Sequence, residues 1–510
     1  MFTAITFSPV TEFIEKTRKL RDLYGSSFIL SYLADSVCEA ARVELRNNDA
    51  VISPARLNIR MGTPDQIVIQ GDFPERQARA AFLQAWGQIM DSCREWVCAE
   101  CQDWINTHYE QWIQANEWND RSRRSLPWDR DWQLWKAHAW EFFWVQRASI
   151  AEVLEAIVEE EQDRDWVGIN WLGESSTLSG SDAIAWPGLG LNIPPKRRSM
   201  AEADQQIRSF FGMLNQKIGG AILEDDLLSF RQDTATRLRN LARHYGVEDQ
   251  SGNKDFDLRQ ELAKKLGEAI VTPREQLSIP ELAKRLFTLR AVAQCIPSRD
   301  RTKDKDPLVE ELPESFKDVN LWKTDLPMGW FRGDGDRAGQ HIRDITQDPD
   351  QTVAAKHLSD FSRQMRQWGK WLKDSFDQKQ GRIVFAGGDD FLGVFHPAEK
   401  PTAAIQWLCC FKENVWHRGD GGEEDIKPVT PSVGFVWASS QVPQRDILQH
   451  CELAEQSAKQ NGRDRVCLRV LFSSGTHLEW ACPWWLLPKI VRGYRDRVSK
   501  AKTGPISTTM

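Results

Sequence analysis

Apolar and polar positions along this chain recur with two periods, and the changes of period divide it into elements. Met1–Phe7 is a short apolar run closed by Ser8-Pro9, which predicts a buried strand. From Thr11 the apolar positions Phe13, Ile14, Leu20 and Leu23 recur at helical spacing. After Gly25-Ser26-Ser27 a second helix carries Phe28, Ile29, Leu30, Tyr32 and Leu33. Gln66-Ile67-Val68-Ile69-Gln70 reads as another strand. From about Ala80 to Ala156 the pattern is helical and rich in Trp, residues 166–195 are irregular and rich in Gly, Ser and Pro, and a second helical region spans roughly Ala201–Ile296. Pro195-Lys196-Arg197-Arg198 enters that region and the charged run Arg299–Asp306 leaves it. The basic run is either a solvated loop or one that faces RNA.

From Leu321 the pattern changes. A strand ends in Gly333-Asp334-Gly335-Asp336, and a helix occupies about Ala354–Gln378. Arg382–Ala386 and Phe391–Phe395 then bracket Gly387-Gly388-Asp389-Asp390, two apolar runs around a Gly-Gly turn that read as a β-hairpin. A helix at Ala403–Asn414, a strand at Ser432–Ala438, a helix at Arg445–Gln460 and strands at Val466–Leu471 and His477–Ala481 complete the series. The β-α-β-β-α-β order is the ferredoxin-like split βαβ arrangement. The first residues begin a similar βα pattern, so the expected fold class is α+β with two related lobes and helical insertions.

The chain has 510 residues, enough for several domains. The expected division is a first lobe over 1–190 with its Trp-rich insertion (about 80–156), a helical domain and linker over 191–315, a second lobe over 316–482 and a short tail over 483–510. A net charge of −7 argues against a chain that wraps nucleic acid by itself, although a local patch or basic partners remain open. Ten of the 23 Trp fall between Trp86 and Trp144. They read as a helical core or a protein surface, with stacking on RNA bases as the alternative. Cys98 and Cys101 form one CxxC with Cys93 nearby. No second CxxC completes a zinc site, so buried or free thiols are expected. The N-terminus lacks a signal peptide and no apolar run approaches the length of a membrane span, so a cytoplasmic, soluble protein without a membrane partner is expected.

The candidate chemistry sits at the hairpin. Asp389 and Asp390 repel each other and suit strands poorly, so a divalent cation, Mg²⁺ or Mn²⁺, is what would justify them. Asp334 ends the strand expected beside the hairpin, so its carboxylate is expected to join theirs as a third ligand. Lys459 and Arg463 flank Asn461-Gly462 at a helix end. They serve either the helix dipole or a triphosphate clamp. Gly387 and Gly388 are expected to supply unusual backbone angles and close approach to a nucleotide. These parts suit nucleotidyl transfer.

These residues resemble a family. Phe7–Ile14 followed by Thr17–Ser27, Leu277–Leu286, Asp334–Gly339, the GGDD hairpin, Ser432–Val436 and Leu468–Val470 through Glu479-Trp480 are similar, in that order, to the large cyclase/polymerase-like subunit of type III CRISPR effector complexes, closest to the type III-B form. The resemblance covers most of the chain. It implies two palm domains and partners in crRNA, target RNA and other type III subunits. It also implies conversion of ATP to cyclic oligoadenylates with 3′–5′ linkage in antiviral defence. It makes Asp389 and Asp390 the metal-binding pair and Asp334 a further ligand, lines the nucleotide with Gly387 and Gly388, and places Ser432 near the base. The likeness extends to GGDEF-type diguanylate cyclases at Lys459 and Arg463.

There are departures. No His-Asp dipeptide of the family's nuclease domain occurs, so DNA cleavage by this subunit is not expected. Ser175–Gly180 looks like a zinc half-site with serines in place of cysteines. About 28 residues follow Cys482, where the family usually has a helical domain. Alternatives are a non-catalytic scaffold or RNA-binding subunit of the same complex, an enzyme joining ATP to S-adenosylmethionine, and a diguanylate cyclase.

Overall fold

The computed structural model describes residues 1–55, 66–115, 127–163, 169–171, 173–189, 200–228, 234–247, 254–297, 326–419 and 421–493. The runs Pro195–Arg198 and Arg299–Asp306 lie outside the described residues, as do Leu321 and residues 494–510 of the expected tail. Among the described residues no helix is long and apolar enough to cross a membrane.

The first sheet contains β1 (Phe2–Ser8), β2 (Val51–Ser53), β3 (Ile67–Gln70) and β4 (Glu141–Arg147), all antiparallel, in the order β2-β3-β1-β4. The second contains β5 (Met328–Gly335), β6 (Gly381–Ala386), β7 (Phe391–Phe395), β8 (Pro431–Ala438), β9 (Arg465–Leu471) and β10 (His477–Pro483). Its order is β10-β9-β8-β5-β7-β6. Taken from β8 to β6, it repeats the first sheet: fourth strand, first, third, second. Both lobes therefore have the ferredoxin-like arrangement, and the second is extended by β9, parallel to β8, and by the β9–β10 hairpin.

Three local expectations are corrected. The helix expected to break at Gly25-Ser26-Ser27 runs unbroken from Leu20 to Glu44. A Cβ at Gly25 would lie 2.2 Å from the carbonyl oxygen of Lys284. This glycine therefore lets two helices cross rather than turning the chain. The Trp-rich stretch is not helical throughout: Glu141–Arg147, with alternating buried Phe143 and Val145, is β4. A five-residue π-helix, Lys412–Trp416, follows the helix Thr402–Phe411.

Part of the Trp-rich stretch is core, and Trp118 lies outside the described residues. Trp86, Trp128, Trp132 and Trp140 are buried, and Trp140 packs edge-on against Phe7 and Trp86. Cys93 and Cys101 are buried free thiols, and Cys98 is a half-buried one. Ser176 is buried and donates to Glu281 Oε2 at 2.6 Å, so the serine-containing segment braces the helix Ile279–Leu286.

Strand alternation divides β5 between two cores. Phe331 faces a cluster of Phe391, Phe395, Phe435, Trp368 and Phe411. Trp330 faces a core shared with the helix Leu20–Glu44 of the first lobe, and Arg332 and Asp334 follow Trp330 on that face.

Candidate functional site

The site is assembled where β5 ends. Arg332 pairs with Gly434 on β8 and Asp334 with Ser432. A Cβ on Gly434 would lie 2.5 Å from the backbone oxygen of Cys451 and the nitrogen of Glu455. The helix Gln444–Gln460 therefore lies directly on the sheet at this point. That contact brings Glu455 to Arg332, Nε to Oε2 at 3.0 Å, and brings Lys459, one turn further on, to Asp334. Lys459 also pairs with Glu455 at 2.7 Å. Burial works against its charge, but Asp334 and Glu455 hold the ammonium above its ordinary value.

The hairpin closes when Gly387 N–H donates to the Asp390 carbonyl at 3.2 Å. Neither Gly387 nor Gly388 is among the glycines with positive φ, which corrects the expectation of unusual angles there. Close approach is needed instead at β5. A Cβ on Gly335 would lie 2.9 Å from Asp389 Cβ, and one on Gly333 2.2 Å from the Phe391 ring. These two glycines let the hairpin tip lie against the strand that carries Asp334.

Asp389 thereby meets Asp334. Burial first, then the Asp334 charge and a hydrogen bond shared with it, push the Asp389 carboxyl up to about 7 against the pull of its own backbone N–H and of Lys459. Asp390 touches solvent, although protein crowds it on its other sides. That crowding, then Asp334 and Asp389, raises its carboxyl well above the ordinary range, while Arg332 opposes. Among the described residues no three His, Cys, Asp or Glu side chains group closely enough to hold a metal ion. Asp334 and Asp389 are the pair the fold brings together.

Ser432 is fully buried and donates to Asp336 Oδ1 at 2.6 Å. Asp336, which the sequence reading missed, is buried at the centre of a lock. It accepts from Ser432, from Thr430 Oγ1 at 2.7 Å and from the Asp464 N–H at 2.8 Å. The lock holds a strained loop in which Gly462, Arg463 and Asp464 have φ of 118°, 61° and 50°. Lys412 Nζ binds Asp464 Oδ2 at 2.6 Å. Among the described residues the Arg463 guanidinium forms no ion pair, so the loop presents a cation near Lys459. Asp336 was hard to read because Asp-Gly-Asp offers two carboxylates and only the fold tells the buried one from the other.

A depression of about 650 Å³, lined by His341, His357, Asp360 and Glu423 among others, shares no residue with this cluster.

Solved structures resemble the chain at low identity. A Csm1–Csm4 cassette in complex with AMPPNP is 13% identical over 97% of this chain and 57% of that chain, with a TM-score of 0.39. The same cassette with cA4 gives 11%, 96%, 57% and 0.41. A type III-B Cmr-beta structure in its apo state gives 11%, 94%, 70% and 0.41. The chain thus spans 57% of the cassette chains it matches. No curated protein matches it. Two family models do: the N-terminal domain of the CRISPR-associated protein Cmr2 matches residues 2–165, and the second palm domain of Cas10/Cmr2 matches residues 327–467, which contain Asp334, the GGDD hairpin, Lys459 and Arg463. Together these models span more than half of the chain, one on each ferredoxin-like lobe, and the chain belongs to the Cas10/Cmr2 family of CRISPR-associated proteins.

Proposed function

We propose that this chain is the large subunit of a type III CRISPR effector complex. Its second palm, on recognition of a target RNA by the crRNA-loaded complex, joins ATP into cyclic oligoadenylates and releases pyrophosphate. The observation that carries this reading is the meeting of Asp334 and Asp389 beneath Lys459, with Arg463 on the strained loop that follows the helix of Lys459.

The donor set fits a hard divalent cation, Mg²⁺ or Mn²⁺. Two carboxylates meet at the end of an interior strand, and Mg²⁺ takes one or two carboxylates when substrate phosphates complete its shell. Asp334 and Asp389 would hold it, with Asp390 contributing charge at the rim. When bound, such a cation lowers the pKa of a ribose hydroxyl and neutralises triphosphate charge. The chain's own groups then orient and balance. Gly387-Gly388 line the nucleotide. Lys459 exchanges its carboxylate partners for phosphate oxygens, and Arg463 joins it against the charge that builds on the leaving pyrophosphate.

The test is the assembled complex with cognate RNA, ATP and Mg²⁺, with products identified by mass spectrometry in the presence and absence of S-adenosylmethionine. Cyclic adenylates that vanish in Asp389→Ala/Asp390→Ala support the reading. An AMP–S-adenosylmethionine conjugate, formed from ATP with release of pyrophosphate, or a preference for GTP, redirects it to the corresponding enzyme class. One observation favours a second reading, a scaffold without turnover: Lys459 already has both Asp334 and Glu455 as partners. Absence of ATP binding to the assembled complex would select that reading.

A further inference from the structure

We propose that Arg366 is a positioning residue for the Gly387–Asp390 loop, and that through it the first lobe sets the geometry of the nucleotide site. This inference rests on the nucleotidyl-transfer reading above. Arg366 belongs to the helix Gln351–Ser375 and is 3% exposed, and its Nη1 donates to the Gly387 carbonyl at 3.0 Å. The N–H of the same Gly387 closes the turn on Asp390. Both backbone polar groups of this glycine are thus committed to holding the loop that carries Asp389.

A buried guanidinium is costly unless its donors are satisfied, and the Gly387 carbonyl satisfies one of them. Burial lowers Arg366 to about 10, and the charge of Asp35 on the first-lobe helix Leu20–Glu44 opposes it. The helix that carries Arg366 is itself fastened to the first lobe, where Ser362 Oγ accepts from the Ala55 N–H at 2.9 Å. The helix that carries Arg366 is also fixed in height: a Cβ on Gly369, one turn along, would lie 2.4 Å from the Ala386 carbonyl oxygen.

A second contact runs the same way. The β6–β7 register shifts between Ile383 and Phe385, a bulge in the arm leading to the loop. At that bulge the buried Tyr24 hydroxyl, from the helix Leu20–Glu44, donates to the Ile383 carbonyl at 3.1 Å. The first lobe thus tethers the hairpin at its arm directly and at its tip through the helix that carries Arg366. The same helix carries Asp22, bound to Arg285 of the helical region, so a displacement of that region bears on it.

The experiment compares Arg366→Met, Arg366→Lys and Asp35→Asn in the assembled full-length complex. It reads amide hydrogen exchange over residues 384–391 and steady-state kcat and KM for ATP. Arg366→Met is expected to speed exchange in that segment about tenfold or more while β1–β4 stay unchanged. It is expected to lower kcat by about 10- to 100-fold at nearly constant KM, the scale of effect that a small misplacement of reacting groups produces. Arg366→Lys, which keeps a charged donor, restores part of both, and Asp35→Asn falls between. Wild-type exchange at 384–391 in Arg366→Met, or loosening spread evenly over the lobe, overturns the proposal. Should Arg366→Met fail to fold, Asp35→Asn decides: wild-type exchange at 384–391 then overturns the coupling. If Asp389→Ala/Asp390→Ala leaves product unchanged, the nucleotidyl-transfer reading fails, and the exchange measurement still decides the role of Arg366.

Discussion

Lys459 binds the carboxylate of Asp334, 125 residues away in sequence, and the same ammonium holds Glu455 on its own helix. One cation thus stands over the acid that pairs with Asp389. Replacing it by Met removes a charge-assisted partner worth about 1.5–3 kcal/mol. The KM for ATP is expected to rise about tenfold or more in Lys459→Met, read by steady-state kinetics. An unchanged KM would remove Lys459 from the phosphate site.

The ion pair depends on a glycine remote from the chemistry. Gly434→Ala sets a Cβ 2.5 Å from backbone atoms of Cys451 and Glu455 and must lift the helix Gln444–Gln460. A loss of about 1–3 kcal/mol, the usual range for overpacking, is expected in denaturant unfolding, together with weakened ATP turnover. Gly339→Ala is the control. It lies exposed in the helix Ala338–Thr346, and its Cβ would meet nothing closer than Arg343 Nη1 at 4.0 Å, so its stability is expected to be unchanged or slightly raised.

Asp336 is expected to matter without touching substrate. Asp336→Asn removes one acceptor oxygen, so one of the three donors it satisfies loses its partner, at about 1–3 kcal/mol. The strained loop at Arg463 then relaxes. Faster amide exchange at residues 462–465, with KM raised more than kcat is lowered, is the expected signature. An unaltered loop would show that the lock does not hold it.

A buried charge cluster lies between the first lobe and the helical region. Arg285, fully buried, binds Asp22 at 2.6 Å and Glu275 at 2.9 Å. Burial alone would raise the Glu275 carboxyl, but Arg285 and then Lys19 overcome it and pull it down to about 2. A depressed carboxylate adds stability that is present above its unfolded value, near 4.5, and is lost as pH falls toward 2. Glu275→Gln should therefore flatten the acid limb of the stability profile between those values. Arg285→Met, which removes the guanidinium from between two buried carboxylates, should cost about 3–5 kcal/mol near neutral pH. A profile in Glu275→Gln that matches wild type would refute the assignment.

Much of the second lobe was legible because its strands alternate or run apolar between turn residues, and the GGDD hairpin and β8 lie where that pattern places them. What period and turn residues could not separate is what went astray. Gly25-Ser26-Ser27 carries the same letters whether a chain turns or two helices cross, and only Lys284 on the facing helix decides. β4 lies within a long helical, Trp-rich stretch, and its pairing with β1 is non-local. Asp334 and Lys459 were both readable as candidates. Their ion pair was not, because it depends on how closely the helix lies on Gly434. Ser432 sits opposite Asp334 in the ladder, yet its hydroxyl turns to Asp336, a choice made by burial.

The central claim is metal-dependent nucleotidyl transfer at Asp334 and Asp389. The most direct measurement is mass spectrometry of the products that the assembled complex forms from ATP, Mg²⁺ and cognate target RNA, for wild type, Asp334→Asn and Asp389→Ala/Asp390→Ala side by side. The account predicts cyclic oligoadenylates from wild type alone. Equal product from all three, or none from wild type under conditions where it binds target RNA, would contradict it.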